Sequence, residues 1–206
     1  MQDTMVAAFD PASQTPASSL TPPVALSSEG LAVLKSGRNV RQCLDELIDS
    51  GLVADALTLV ARALPKRYVV AWACDCLKTA LATDAAATDV DRAGLAIAQQ
   101  WLADPTEDNR RAALEFAERG EFGSVGAWIA ASAGWNGGSL APRGYDVVAP
   151  PDHLPAEAAV AALRLAASRG EDYAGMVQGF VSRALQLFGG AKASGAGSAT
   201  RSGASA

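Results

Sequence analysis

An all-α fold is what this sequence predicts: a compact bundle of about seven to eight helices packed around a central apolar helix, with no sheet. Three observations carry that expectation. Apolar residues recur at spacings of three and four in segment after segment. Half of the 206 residues are hydrophobic but only 6% are aromatic, and alanine fills much of the difference. Alanine favours helix over strand and lets helix axes approach closely. Finally, residues 66–81, KRYVVAWACDCLKTAL, place Val69, Trp72, Ala73, Cys76, Leu77 and Ala80 on one stripe, widened by Val70, Cys74 and Leu81. A helix that apolar is enclosed by other helices, so this one is expected at the centre.

The elements follow in order. Residues 1–27, rich in Pro, Ser, Thr and Ala, read as a disordered arm with Val24 and Leu26 as candidate docking points. A single helical domain then spans residues 28–188. It begins with a short helix carrying Leu31 and Leu34 inward. Asn39 caps the next, whose stripe is Val40, Cys43, Leu44, Leu47 and Ile48. Gly51 ends that helix, and Val53, Ala56, Leu57, Val60 and Leu64 form the following stripe up to Pro65. Beyond residues 66–81, TDAAATDVD makes a turn into a helix from about Val90 to Ala103, with Ala93, Ile97 and Trp101 in one row and Leu95, Ala98 and Leu102 in the adjoining one. Asp104-Pro105-Thr106-Glu107 breaks the pattern. Asp104 is expected to cap the next helix, with Pro105 in its first position and Glu107 closing a capping box. Ala113, Phe116 and Ala117 face inward there, and Glu107 pairs with Arg111 outside. A further helix at about Ser124 to Ala133 buries Val125, Trp128 and Ile129. The last two, Pro155 to Arg169 and Glu171 to Phe188, bury Val160, Leu163 and Ala167, then Tyr173, Met176, Val177, Phe180, Ala184, Leu187 and Phe188. Residues 189–206 read as a flexible Gly/Ser/Ala tail.

Between residues 135 and 155 the helical period disappears. WNGGSLAPRGYDVVAPPDHLP holds four prolines and three glycines. A connection of that length inside a domain is packed over the core, mobile or functional. Its Trp135, Asn136, Arg143, Tyr145 and His153 form the candidate interaction surface, with Trp135 alternatively plugging one end of the core. Chemistry is otherwise sparse. His153 is the only histidine, so neither a His-based metal site nor a Ser-His-Asp set can be written. No phosphate-binding glycine motif is present, and no metal or cofactor is expected. Asp75 lies mid-helix in apolar surroundings and is expected either to face solvent through the helix's narrow polar strip or to form a buried ion pair with an arginine such as Arg67, Arg92 or Arg110. Net charge of −5 and a pI near 4.9 argue against a nucleic-acid partner. Three cysteines, Cys43, Cys74 and Cys76, read as buried free thiols of a reducing compartment. With neither a signal peptide nor a membrane span in the sequence, the expectation is a cytoplasmic protein with no membrane partner.

Certain residues carry a resemblance. AWACDCL (71–77), Trp101-Leu102, DPTEDNRRAAL (104–114), Trp128 and WNGGSLAP (135–142) together resemble an uncharacterised all-helical domain family of bacteria. The first half is also similar to helical immunity-type proteins of polymorphic toxin systems, in which a W-A-x-D-x-A helix precedes a second helix ending in Trp. Those proteins carry an R-P pair before that second helix, where this chain has Asp91-Arg92-Ala93. The resemblance spans about Arg67 to Leu154. It implies an association with protein-secretion gene clusters and supplies no catalytic residues. The expected function is a non-enzymatic protein–protein interaction module: an accessory, adaptor or immunity-like factor. The alternative is an enzyme whose site gathers Asp75, Arg92, Arg110 and the 135–155 loop.

Overall fold

In a computed structural model, residues 14–20, 24–35 and 37–188 are described. The expectations for residues 1–13, for the 189–206 tail and for the Phe188 side chain lie outside them. Nine α-helices fill the described domain: α1 (Ser28–Leu34), α2 (Val40–Asp49), α3 (Val53–Ala63), α4 (Lys66–Thr83), α5 (Asp89–Ala103), α6 (Glu107–Arg119), α7 (Val125–Gly134), α8 (Leu154–Ala167) and α9 (Tyr173–Phe188). No strand occurs among the described residues, in keeping with the predicted all-α class. None of their helices is long and apolar enough to cross a membrane.

Local chemistry sets the boundaries. Asn39 caps α2 in a reciprocal capping box with Gln42. Gly51 then turns the chain with φ +73°, as its amide donates to Ile48 O (3.0 Å) and that of Leu52 to Leu47 O (2.8 Å). Thr88 and Asp91 make the corresponding box at the start of α5. At α6 the capping residue is Thr106 rather than Asp104, and Glu107 stands first in the helix. Asp104 is occupied otherwise: its backbone and side-chain oxygens accept from Asn109 Nδ2, which folds the turn back on itself.

α7 is the most enclosed element, in place of α4. Nine of its ten residues are buried, all but Trp128, and it packs against α5, α6 and α8. Its sequence, VGAWIAASAG, explains why. Small side chains allow three neighbours to close on one short helix. A Cβ on Gly94 of α5 would sit 2.1 Å from Gly126 O, one on Gly126 would sit 2.2 Å from Val90 O, and one on Gly134 would sit 2.8 Å from the Leu114 backbone. The Ser132 hydroxyl donates to Pro155 O (2.7 Å), joining α7 to α8. α4 keeps the largest anchor, Trp72, whose Nε1 donates to Phe180 O of α9 (3.0 Å). On α5 the buried row is Leu95, Ala98 and Trp101, whereas Ala93 is exposed.

Residues 14–20 and 24–27 of the expected arm lie against the domain. Ala17 N donates to Arg38 O (3.1 Å) and Val40 N to Thr15 O (2.9 Å), and both Ala17 and Val24 are buried. Ser27 caps α1 and also donates, through its amide and hydroxyl, to the buried carboxylate of Asp55 on α3. Few apolar side chains are needed when backbone groups find such partners.

Candidate functional site

The 135–153 connection is built on three arginines. Arg110 of α6 is 3% exposed. Its Nε and Nη2 donate to the two oxygens of Glu107 (2.6 and 2.7 Å), Nη2 also reaches Ser139 O (2.9 Å), and Nη1 donates to Gly134 O at the end of α7. Hydrogen bonds from Arg110 hold the Glu107 carboxyl below its ordinary range against the opposing effect of burial, with Arg111 adding to them. Arg111 Nη1 donates to Ala141 O (3.1 Å), and Arg143 pairs with Asp108. Gly138, at φ +66°, lies so close that a Cβ would fall 2.5 Å from Arg110 Nε. Glycine adopts that backbone without strain and, having no Cβ, leaves room for the guanidinium.

Above this base the loop closes at a neck. Leu140 N donates to Val148 O (2.8 Å), and Ser139 Oγ accepts from Ala141 N and Val148 N (3.1 Å each). At the neck and beyond it, beside the exposed Arg143 and Asp146, stand four exposed apolar side chains: Tyr145 is 75% exposed, Val147 78%, Val148 52% and Leu140 38%. The one other large hydrophobic residue exposed among those described is Val90. Four such side chains on one braced projection are the kind of patch that marks an interaction site.

The five residues singled out for the surface have different places. Trp135 is half-buried and stacks on Phe122, centroids 5.6 Å apart. Asn136 Nδ2 donates to Lys66 O (2.9 Å), tying the loop to α4. His153 is partly buried at the start of α8, with Nε2 3.9 Å from Glu157 Oε1. Arg143 is exposed but pinned by Asp108. Tyr145 alone of the five projects freely. Leu140, Val147 and Val148 were missed. Their signal was present as bulky apolar residues in a segment without helical period, between Gly138 and Pro150.

The ion-pair expectation is corrected. Asp75 pairs with Arg183 of α9 (Oδ2 to Nε, 2.6 Å), and both side chains are about two-fifths exposed, 43% and 41%. Arg67 donates to Leu102 O, Arg92 pairs with Asp89 on the surface, and Arg110 serves the loop. Asp75, Arg92 and Arg110 thus each have a different partner: Arg183, Asp89, and Glu107 with the loop carbonyls. The Asp75–Arg183 pair instead flanks a groove of about 360 Å³ between α4 and α9, beside Cys76 and Phe180. Burial first, then the Asp75 charge, push the Cys76 thiol up to about 12. Such a thiol is inert at neutral pH.

The buried ion pair of the fold is elsewhere. Asp91, fully buried, accepts from Arg169 Nη1 (2.7 Å), Thr88 N and Oγ1 (3.0 Å each) and Gly126 N (3.3 Å). Arg169 also reaches Asp84 (3.3 Å). Burial alone would raise the Asp91 carboxyl, but the donors from Arg169, Thr88 and Gly126 outweigh it and bring it down to about 2. Among the described residues no three His, Cys, Asp or Glu side chains converge as a metal site.

Residues 43–188 match DUF6931, a family of unknown function. The chain belongs to that family. The match covers α3 to α9 and all but the first three residues of α2, and so includes the arginine-braced loop and the Asp91 centre of this DUF6931 protein. No curated protein and no solved structure matches it.

Proposed function

We propose that this DUF6931 protein is a non-enzymatic protein–protein interaction module, and that the apex of its 139–148 loop enters an apolar cleft on a partner protein. One observation carries this reading: Leu140, Tyr145, Val147 and Val148 are held out in solvent on a loop anchored by Arg110, Arg111 and Arg143. Such bracing pre-organises the loop, and pre-organisation lowers the entropy lost on binding. Tyr beside aliphatic side chains is a composition suited to an interface anchor. The resemblance to bacterial immunity-type helical proteins extends the reading: an accessory, adaptor or immunity-like factor of a secretion or toxin system, acting in the cytoplasm. The test is capture of the partner by the full chain and by a Tyr145→Ser/Val147→Ser variant. The variant is expected to fold as the parent does and to lose about tenfold or more in affinity. Equal affinity would refute the assignment. Trp135→Ala is a poorer probe, since loss of its stacking on Phe122 disturbs the fold itself.

A further inference from the structure

We propose that this chain pairs with a second copy of itself through the backbone edge of residues 146–150, strand to antiparallel strand, about a two-fold axis at Val148. The sequence there is Asp146-Val147-Val148-Ala149-Pro150-Pro151. Adjacent β-branched residues favour extended backbone, and Pro150 keeps Ala149 extended as well. Residues 146–150 accordingly run with neither turn nor bend.

In an extended chain the N–H and C=O groups of successive residues point to opposite edges. Val148 engages both of its groups inside the loop: its N–H donates to Ser139 Oγ (3.1 Å), and its C=O accepts from Leu140 N (2.8 Å). Val147 and Ala149 therefore turn their backbone groups to the outer edge. None of these groups has a partner in the protein, and both residues are exposed. Such an edge is a template for another extended backbone. A purely apolar cover would bury the same groups unsatisfied.

Self-complementarity makes a second copy the fitting strand. With Val148 opposite Val148, Val147 of each copy faces Ala149 of the other, and each such pair exchanges both of its hydrogen bonds. The two Val148 side chains meet at the axis as a non-hydrogen-bonded pair, where side chains approach most closely. The ends close the register. Tyr145 N already donates to Pro142 O (3.3 Å), and Pro151 has no N–H, so the ladder stops at Ala149. An axis at Val147 would set Ala149 against that occupied Tyr145 amide. Charge permits the contact too. The two Asp146 carboxylates sit four residue steps apart, roughly 13 Å, beyond a Debye length of about 8 Å.

Edge pairing leaves the side chains above and below the edge uncovered. It therefore sets two apolar apices side by side, and it can fail while the partner reading of those side chains stands. A contact this small gives a weak dimer, filling near about 0.1 mM.

The test is sedimentation equilibrium of the full chain up to about 0.5 mM, where self-association is expected. Ala149→Pro removes an unused N–H, keeps the backbone extended and is expected to weaken association about tenfold or more. Tyr145→Ser, which spares the edge, is expected to leave it unchanged. Register is read by oxidising Val148→Cys, expected to cross-link at least about tenfold faster than Val147→Cys, because only residue 148 faces its own copy within disulfide reach. The three native cysteines are buried and do not compete. A monomer at every concentration, association indifferent to Ala149→Pro or lost in Tyr145→Ser, or equal cross-linking at 147 and 148 would overturn the proposal.

Discussion

Gly94 and Gly126 set how closely α5 and α7 cross. A methyl group at Gly94 falls 2.1 Å from Gly126 O, inside any tolerable contact, so the two backbones must separate. Gly94→Ala is therefore expected to cost about 3 kcal/mol, measurable as a drop in the urea midpoint, because overpacking against rigid backbone has no side chain to yield. Asp91 is the other residue on which this crossing depends. Its carboxyl pKa falls from 3.8 to about 2 on folding. A depressed carboxylate contributes stability above its unfolded pKa and loses it as pH falls through the folded one. The contribution is about 2 kcal/mol at neutral pH, lost between roughly pH 4 and pH 2. Asp91→Asn is expected to lose about 3 kcal/mol at pH 7, because Arg169 is left without its closest counter-charge. The variant's unfolding free energy should also vary less between pH 4 and pH 2 than the parent's. An equal pH slope in the two proteins would show that Asp91 does not carry the effect.

At the scale of elements, the loop depends on α6. Arg110, Arg111 and Asp108 lie within four consecutive residues of one helix and hold successive points of the 134–143 segment. Gly138→Ala forces a side chain into the αL region and against Arg110, with an expected loss of about 2 kcal/mol or more. Limited proteolysis within residues 139–148 should accelerate in parallel; unchanged cleavage would mean that the loop does not rely on this clamp. Helix existence and the buried stripes of α2, α3 and α4 were legible from periodicity, since burial there follows spacing directly. The centre of the bundle was not. α4 has the bulkier apolar stripe, but enclosure depends on how closely neighbours can approach, and the glycines and alanines of α7 let them come nearer. Similarly, Asp104 and Thr106 both suit a helix cap, and one sequence cannot show that Asn109 occupies Asp104.

Across the whole molecule, long-range polar pairing was the least legible feature. Asp75 meets Arg183 and Asp91 meets Arg169, partners 108 and 78 positions away, because α9 and the end of α8 return to α4 and α5. Local spacing carries no information about which arginine comes back. The loop itself was visible as a loss of period, but most of the polar and aromatic residues singled out in it turned out to be its anchors, and its exposed apolar side chains are Tyr145 with Leu140, Val147 and Val148. The central claim is that this face binds a partner. A photo-crosslinking residue at Val147, compared with one at the exposed Arg119 on α6, tests it most directly in cells. The account predicts one protein joined at 147 and not at 119, which then binds the purified chain about tenfold or more weaker after Tyr145→Ser/Val147→Ser. Crosslinking alike at both positions, or a captured protein that binds the variant as tightly as the parent, would contradict it.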